Sequence, residues 1–203
     1  MYGDDGSSLS NARKNTNNST IKTTIDNWYK DNLNTNYGKY ISTTAVYCND
    51  RTEKTAGTYN ANGTNFDFAP RYRAYSSFTP TYDCTEASDA FSVDNEKAKL
   101  QYPIALMTSD EIIYAGGRVN SSNKDAWYVL NGNNSPIISE NWFLLSPANP
   151  GLVFTVTGQP MGKLFSSNSL SISLGIRPVL SLKNCVKYSS GDGTANNPYT
   201  IEE

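Results

Sequence analysis

Asp50, Asp83 and Glu86 are the acids of this chain that invite a catalytic reading. Hydrolysis of a glycan needs two carboxyl groups ~5 to 9 Å apart, one handling a proton and one attacking or activating water. Asp50 with Asp83 or Glu86 would be such a couple. Asp110 and Glu111 are also adjacent acids, but they fall in Thr108-Ser-Asp-Glu111. There a capping box accounts for Glu111, and the helix dipole favours Asp110 beside it. Asp50, within Cys48-Asn-Asp-Arg51, also offers an oxygen to a metal, although such sites need several carboxylates or carbonyls converging. A turn with a local salt bridge is the competing reading. The chain has no histidine, and so lacks the commonest general base, the usual partner of a nucleophilic Ser or Cys, and the commonest zinc ligand. Catalysis is therefore the lesser reading, and no metal or cofactor is expected.

Cys48, Cys84 and Cys185 cannot all pair within one molecule, and none stands in a C-x-x-C spacing. A Cys48–Cys84 disulfide suits an extracellular location; three buried free thiols are the alternative, and the sequence leaves both open. Cys185, just after the last strong strand, is the one expected to stay unpaired.

The remaining chemistry is that of recognition. Trp127 and Tyr128 precede Asn131-Gly-Asn-Asn134, and Trp or Tyr beside Asn gives large contact area at low entropy cost together with donors and acceptors. Trp127, Tyr128, Asn131, Asn133, Asn134, Gln159 and Asn168 are the candidate ligand-binding residues, carried on loops 118–140 and 148–174. Trp127 plugging the core beneath its loop is the opposing reading.

Several elements must hold these loops. Ile21, Ile25, Trp28, Tyr29 and Leu33 recur at the spacing of one helical face, with Ser19 or Asn18 as the cap and Asn34–Gly38 as the stop. Pro103–Met107 reads as a strand leading into the capped helix that Gly116-Gly117 ends. Asn141–Pro147, Leu152–Thr157 and Gly175–Leu182 read as the core strands. In the last two, Leu152, Phe154 and Val156, and Ile176, Pro178, Leu180 and Leu182, alternate onto one face of an antiparallel sheet. Residues 1–18 read as loop, with one short strand at Met1–Tyr2. Residues 40–91 read as short β pieces and a long polar stretch that its aromatics hold down. Gly191-Asp-Gly-Thr194 is a turn before a final strand.

A chain of 203 residues suits one domain spanning 1–203. Charged residues make up only 18%, with 14 Tyr among many Asn, Ser and Thr, a balance closer to an extracellular binding protein than to a cytosolic enzyme. The net charge of -2 favours neither nucleic acid nor an anionic membrane. No apolar run approaches the ~18 residues that span a bilayer, so no membrane contact by this segment is expected. The N-terminus carries no basic-then-apolar signal pattern; the expectation is a soluble piece of a longer protein.

Six stretches together resemble a known family: Ile21–Leu33, Cys48-Asn-Asp-Arg51, Tyr102–Gly117, Trp142–Pro147, Gly175-Ile-Arg-Pro-Val-Leu-Ser-Leu182 and Gly191-Asp-Gly-Thr-x-x-Asn-Pro-Tyr199. They are similar to C-type-lectin-like domains of bacterial surface proteins of Gram-positive type, in the branch shared with formylglycine-generating enzymes and the variable proteins of diversity-generating retroelements. The resemblance implies an α+β, C-type-lectin-like fold: two helices on a small twisted antiparallel sheet, long loops forming the binding face, and the terminal strands together, Met1–Gly3 beside Tyr199–Glu203. It further implies an extracellular, cell-surface location and variation concentrated in Ala148–Leu174. Gln159-Pro160-Met161 has Met where calcium-dependent lectins have a carboxylate, and only Cys185 is late where formylglycine-generating enzymes have a cysteine pair. Neither calcium binding nor that oxidase chemistry follows. The function expected is a non-catalytic ligand-binding or adhesion module recognising a protein or glycan. The alternative is a structural pilus or cell-wall stalk domain without ligand.

Overall fold

The computed structural model describes residues 9–54, 67–119, 141–157, 163–169, 173–194 and 196–202. The architecture is mixed α+β, with several small sheets. A short turn, α1 (Leu9–Ala12), lies in the stretch read as loop. α2 (Thr20–Tyr29) begins at Ser19, whose side chain accepts from the Lys22 N–H at 3.1 Å. This satisfies one of the N–H groups that a helix start leaves without a partner. The chain remains helical past the expected Asn34–Gly38 stop, through a π turn (Lys30–Asn34), α3 (Thr35–Tyr37) and a 3₁₀ turn (Gly38–Tyr40).

The buried face of α2 is Lys22, Ile25, Asp26 and Tyr29. That is a clean helical stripe, but rotated from the one expected: Trp28 is 45% exposed, and two charged residues take core positions. The rotation corrects the reading of Trp28 as a core residue. Its cause lies on the neighbouring residue, since Tyr29 packs at 5.2 Å on the Tyr102 ring and only one of the two adjacent aromatics can face inward.

β1 (Tyr47–Cys48) pairs antiparallel with β2 (Ala90–Phe91). Between them lies α4 (Ala69–Tyr72), continued by a π turn (Arg73–Ser77). Pro70 sits in the first turn of α4, where its missing N–H costs nothing. This helical segment lies in the stretch read as polar and loop-rich, and corrects it. β3 (Ala105–Leu106) then leads into α5 (Ser109–Tyr114). α5 carries the full capping box: the Thr108 hydroxyl accepts from the Glu111 N–H at 3.1 Å, and the Glu111 carboxylate accepts from the Thr108 N–H at 2.7 Å.

β4 (Trp142–Asn149), β5 (Leu152–Val156), β6 (Leu164–Ser169) and β7 (Gly175–Ile176) form a sheet of order β6-β5-β4-β7. β4–β5 and β5–β6 are antiparallel, whereas β4–β7 is parallel, so the sheet is not wholly antiparallel. β4 is buried on both faces. Phe143 and Leu145 join Ile25, Phe91, Leu100 and Ile104 in one apolar cluster, while Trp142 and Leu144 join Ile112, Phe154, Val156 and Leu164 in the other. Burial of each such side chain stabilises by roughly 1.5–3 kcal/mol against leaving it exposed.

The stretch read as a single strand from Gly175 to Leu182 is divided. β7 ends at Ile176, and Arg177 crosses over the Trp142 ring at 3.7 Å. β8 (Pro178–Val179) then pairs antiparallel with β3 instead. Ile176, Pro178, Leu180 and Leu182 therefore do not share one buried face, and Leu182 is 46% exposed. β9 (Tyr188–Ser190) and β10 (Thr200–Ile201) close an antiparallel hairpin. Thus the final strand has the 188–190 segment as a neighbour; Met1–Gly3 lie outside the described residues.

Candidate functional site

One pocket, of about 50 Å3, lies where β1, the 81–83 segment, β3 and α5 meet. A disulfide fixes its wall. Cys48 and Cys84 are joined with their Cα atoms 5.7 Å apart, which ties β1 to the segment carrying Thr81, Tyr82 and Asp83. Cys185 is an exposed free thiol.

The floor of the pocket is an ion triad built on Arg73. Its Nε and one terminal nitrogen donate to the two Asp110 oxygens at 2.7 and 2.9 Å, and the other terminal nitrogen donates to Asp50 at 2.8 Å. The π turn after α4 aims Arg73 inward, the capping box sets Asp110 on the first turn of α5, and Asp50 leaves the end of β1. Backbone groups complete the set: Thr81 N–H donates to Asp110 at 3.2 Å and Thr52 N–H to Asp50 at 3.0 Å. Burial opposes the Arg73 charge, but the hydrogen bonds and charges of Asp110 and Asp50 outweigh it and raise its pKa above that of an ordinary guanidinium.

Arg51 does not pair with its neighbour Asp50. It makes a second buried pair with Asp89, through its own N–H at 2.7 Å and its Nε at 2.8 Å. Burial pushes the Asp89 carboxyl upward against the pull of Arg51. The Cys48-Asn-Asp-Arg51 motif is thus a hub: Cys48 bonds Cys84, Asn49 N–H donates to Asp89 O at 2.9 Å, Asp50 holds Arg73 and Arg51 holds Asp89. The local salt bridge expected in this turn is replaced by partners from distant segments.

Asp50 and Asp83, the first couple considered for hydrolysis, do line the same pocket; Glu86 lies outside its lining. Their chemistry is unequal. Asp50 is committed to an arginine, as is Asp110, and Glu111 is committed to its capping box. Asp83 is exposed, and its carboxylate has no ion-pair or hydrogen-bond partner among the described residues. Among the described residues, no group of three or more His, Cys, Asp or Glu is placed to hold a metal ion.

At the pocket mouth, Tyr82 stacks on Tyr114 with ring centroids 4.5 Å apart and planes at 13°. Tyr82 is 69% exposed and Tyr114 50%. The Tyr114 hydroxyl donates to Pro80 O at 2.7 Å, so the outer ring rests on an inner ring tied to the backbone. Nearby in the chain, Phe78 is exposed and adopts φ 53, a left-handed conformation costing about 1–2 kcal/mol for a side chain of this kind. Neither Tyr82 nor Tyr114 stood among the residues first singled out. Their pairing joins segments 32 residues apart by number, and only the Tyr-rich composition hinted at it.

Trp127, Tyr128, Asn131, Asn133, Asn134 and Gln159 lie outside the described residues. Asn168 lies within β6, opposite Val153. In the expected recognition loop 148–174, most of the described residues are strands, β5 and β6. Comparison with protein-family models, with curated proteins and with solved structures gives no match for this chain.

Proposed function

We propose that this chain is a non-catalytic, extracellular ligand-binding or adhesion module of a bacterial surface protein, C-type-lectin-like in fold, which recognises a protein or glycan. The observation that carries this reading is the stacked Tyr82–Tyr114 pair at the pocket mouth. Large aromatic rings normally go inside. A pair left in water and held by a hydrogen bond to Pro80 is a preorganised contact surface, and rigid tyrosines are favoured anchors in recognition.

The pocket beneath supports a binding role over catalysis. Water needs roughly 10–15 Å3 of such space per molecule, so about 50 Å3 admits a few waters or one small polar group rather than a sugar ring. Its buried acids are already engaged by Arg73, which disfavours proton exchange with a substrate. The Cys48–Cys84 disulfide is in keeping with an oxidising, cell-surface location.

The test is a screen of the purified chain against glycans and cell-surface proteins, with calcium and with chelator. The expected result is a hit insensitive to chelator and weakened about tenfold or more by Tyr82→Ala, the loss of one aromatic anchor. A hit lost only with Trp127→Ala or Asn133→Ala would move the binding face to loop 118–140. Silence in both conditions would favour the stalk-domain alternative.

A further inference from the structure

Lys22 and Asp26 occupy the core-facing stripe of α2, one turn apart, at 1% and 4% exposure. Lys22 Nζ lies directly against Asp26 Oδ1. Beyond that mutual contact, neither Nζ nor either carboxylate oxygen has a hydrogen-bond partner among the described residues. An ammonium offers three donors and a carboxylate about four acceptor sites, so an ionic pair here would keep nearly all of its polar capacity unsatisfied in an apolar setting. Such pairs are costly even with good geometry.

The helix gives an ionic pair little help. Lys22 stands in the first turn, where the dipole disfavours a cation, and a cation preceding an anion by four residues is the weaker order of the two. Two other buried pairs of this chain, Arg73 with Asp110 and Arg51 with Asp89, are threaded with hydrogen bonds. Lys22–Asp26 is unlike them.

We propose that Lys22 and Asp26 are a covalent modification site, joined through an intrahelical amide between Nζ and Cγ. The neutral Lys22 amine attacks the Asp26 carboxyl carbon. The Nζ–Cγ bond forms, the Cγ–Oδ bond breaks, and the departing hydroxyl leaves as water with a proton given up by nitrogen. Amine plus acid gives amide plus water, with no oxidant, energy source or cofactor required. The fold supplies both reactants in usable form. Burial lowers the Lys22 pKa against the opposing hydrogen bond and charge of Asp26, and raises that of Asp26 against those of Lys22. This favours the uncharged amine and acid that condensation consumes. Helical i,i+4 spacing holds the two groups within reach, replacing an encounter by a tethered geometry. The product carries no charge and leaves one N–H and one C=O where an amine and an acid stood.

The test is the mass of the whole chain after reduction of its disulfide, followed by tryptic digestion under denaturing conditions. The expected chain is lighter than its sequence by one water, Lys22 resists trypsin, and the fragment spanning residues 15–30 carries the deficit intact. Lys22→Arg, a cation that does not condense in this way, is expected to restore the full mass. A chain at full mass, cut after Lys22, overturns the proposal. So does a water deficit accompanied by cleavage after Lys22, which would indicate cyclisation of Asp26 onto the backbone of Asn27 instead.

Discussion

Arg73 meets Asp110 fork to fork, Nε on one carboxylate oxygen and a terminal nitrogen on the other, at 2.7 and 2.9 Å. Together with the bond to Asp50, this pairing fastens α4, β1 and α5 into one unit across 23 and 37 residues of chain. Its energetic meaning lies in removal more than in presence. A buried ion pair adds little net stability, but deletion of one partner leaves uncompensated charge. Arg73→Met should destabilise the fold by about 3–5 kcal/mol at neutral pH, read as a lower urea midpoint. Arg73→Lys, which keeps the charge but loses the fork, should recover only part of that loss. Full recovery by Lys would assign the effect to charge alone.

The disulfide is predicted to carry a comparable share. It closes a loop of 36 residues, worth roughly 4 kcal/mol through the entropy of the unfolded chain. Reduction, or Cys48→Ser with Cys84→Ser, should lower the thermal midpoint markedly, while Cys185→Ser should not move it. A thiol-labelling assay on the unreduced protein should modify Cys185 alone.

Tyr29 and Tyr47 set an alkaline limit. Burial raises both phenol pKa values above the ordinary 10.0, and Tyr47 also donates to Pro103 O at 3.1 Å. A raised folded value means that the contribution is whole below pH 10.0 and is lost as pH rises through the folded pKa. Stability should thus begin to fall above that point, with the last phenolate absorbance appearing together with unfolding. Tyr29→Phe and Tyr47→Phe should each flatten the alkaline limb. Ionisation of every tyrosine in a still-folded chain would refute the burial argument.

Gly116 and Gly117 should differ when each is replaced by Ala. Gly116 has φ +91 with nothing within 4 Å of an added Cβ, so only backbone strain is charged, about 1 kcal/mol. At Gly117 a Cβ would come 2.4 Å from Ile112 Cγ2 and 2.7 Å from Ile112 O. Ile112 is fully buried, so the clash should cost more, roughly 1–3 kcal/mol. Paired denaturation curves decide the order.

What was legible in the sequence was local. The Thr108–Glu111 capping box, the Ser19 cap and the strands at 142–149 and 152–156 each rest on residues a few positions apart, so spacing alone exposes them. The Arg73 clasp was not legible, because its partners are remote and nothing marks one arginine among 17 basic residues. α4 was hidden by its brevity and by Pro70, which reads as a breaker until its first-turn position is known. The stripe of α2 misled because Lys22 and Asp26 are polar by type yet buried by position. At the candidate site, the acids were noticed singly, whereas the tyrosine stack depends on tertiary folding.

The parallel pairing of Trp142 and Phe143 with Gly175 and Ile176 brings the chain back to the beginning of β4 after its trip through β5 and β6. Both ends of that excursion are anchored on one strand, since Trp142 faces Val156 on one side and Gly175 on the other, and Phe143 faces Thr155 and Ile176. β4 is therefore a shared ruler: a slip of one residue at its start would misalign the outgoing and the returning strand together.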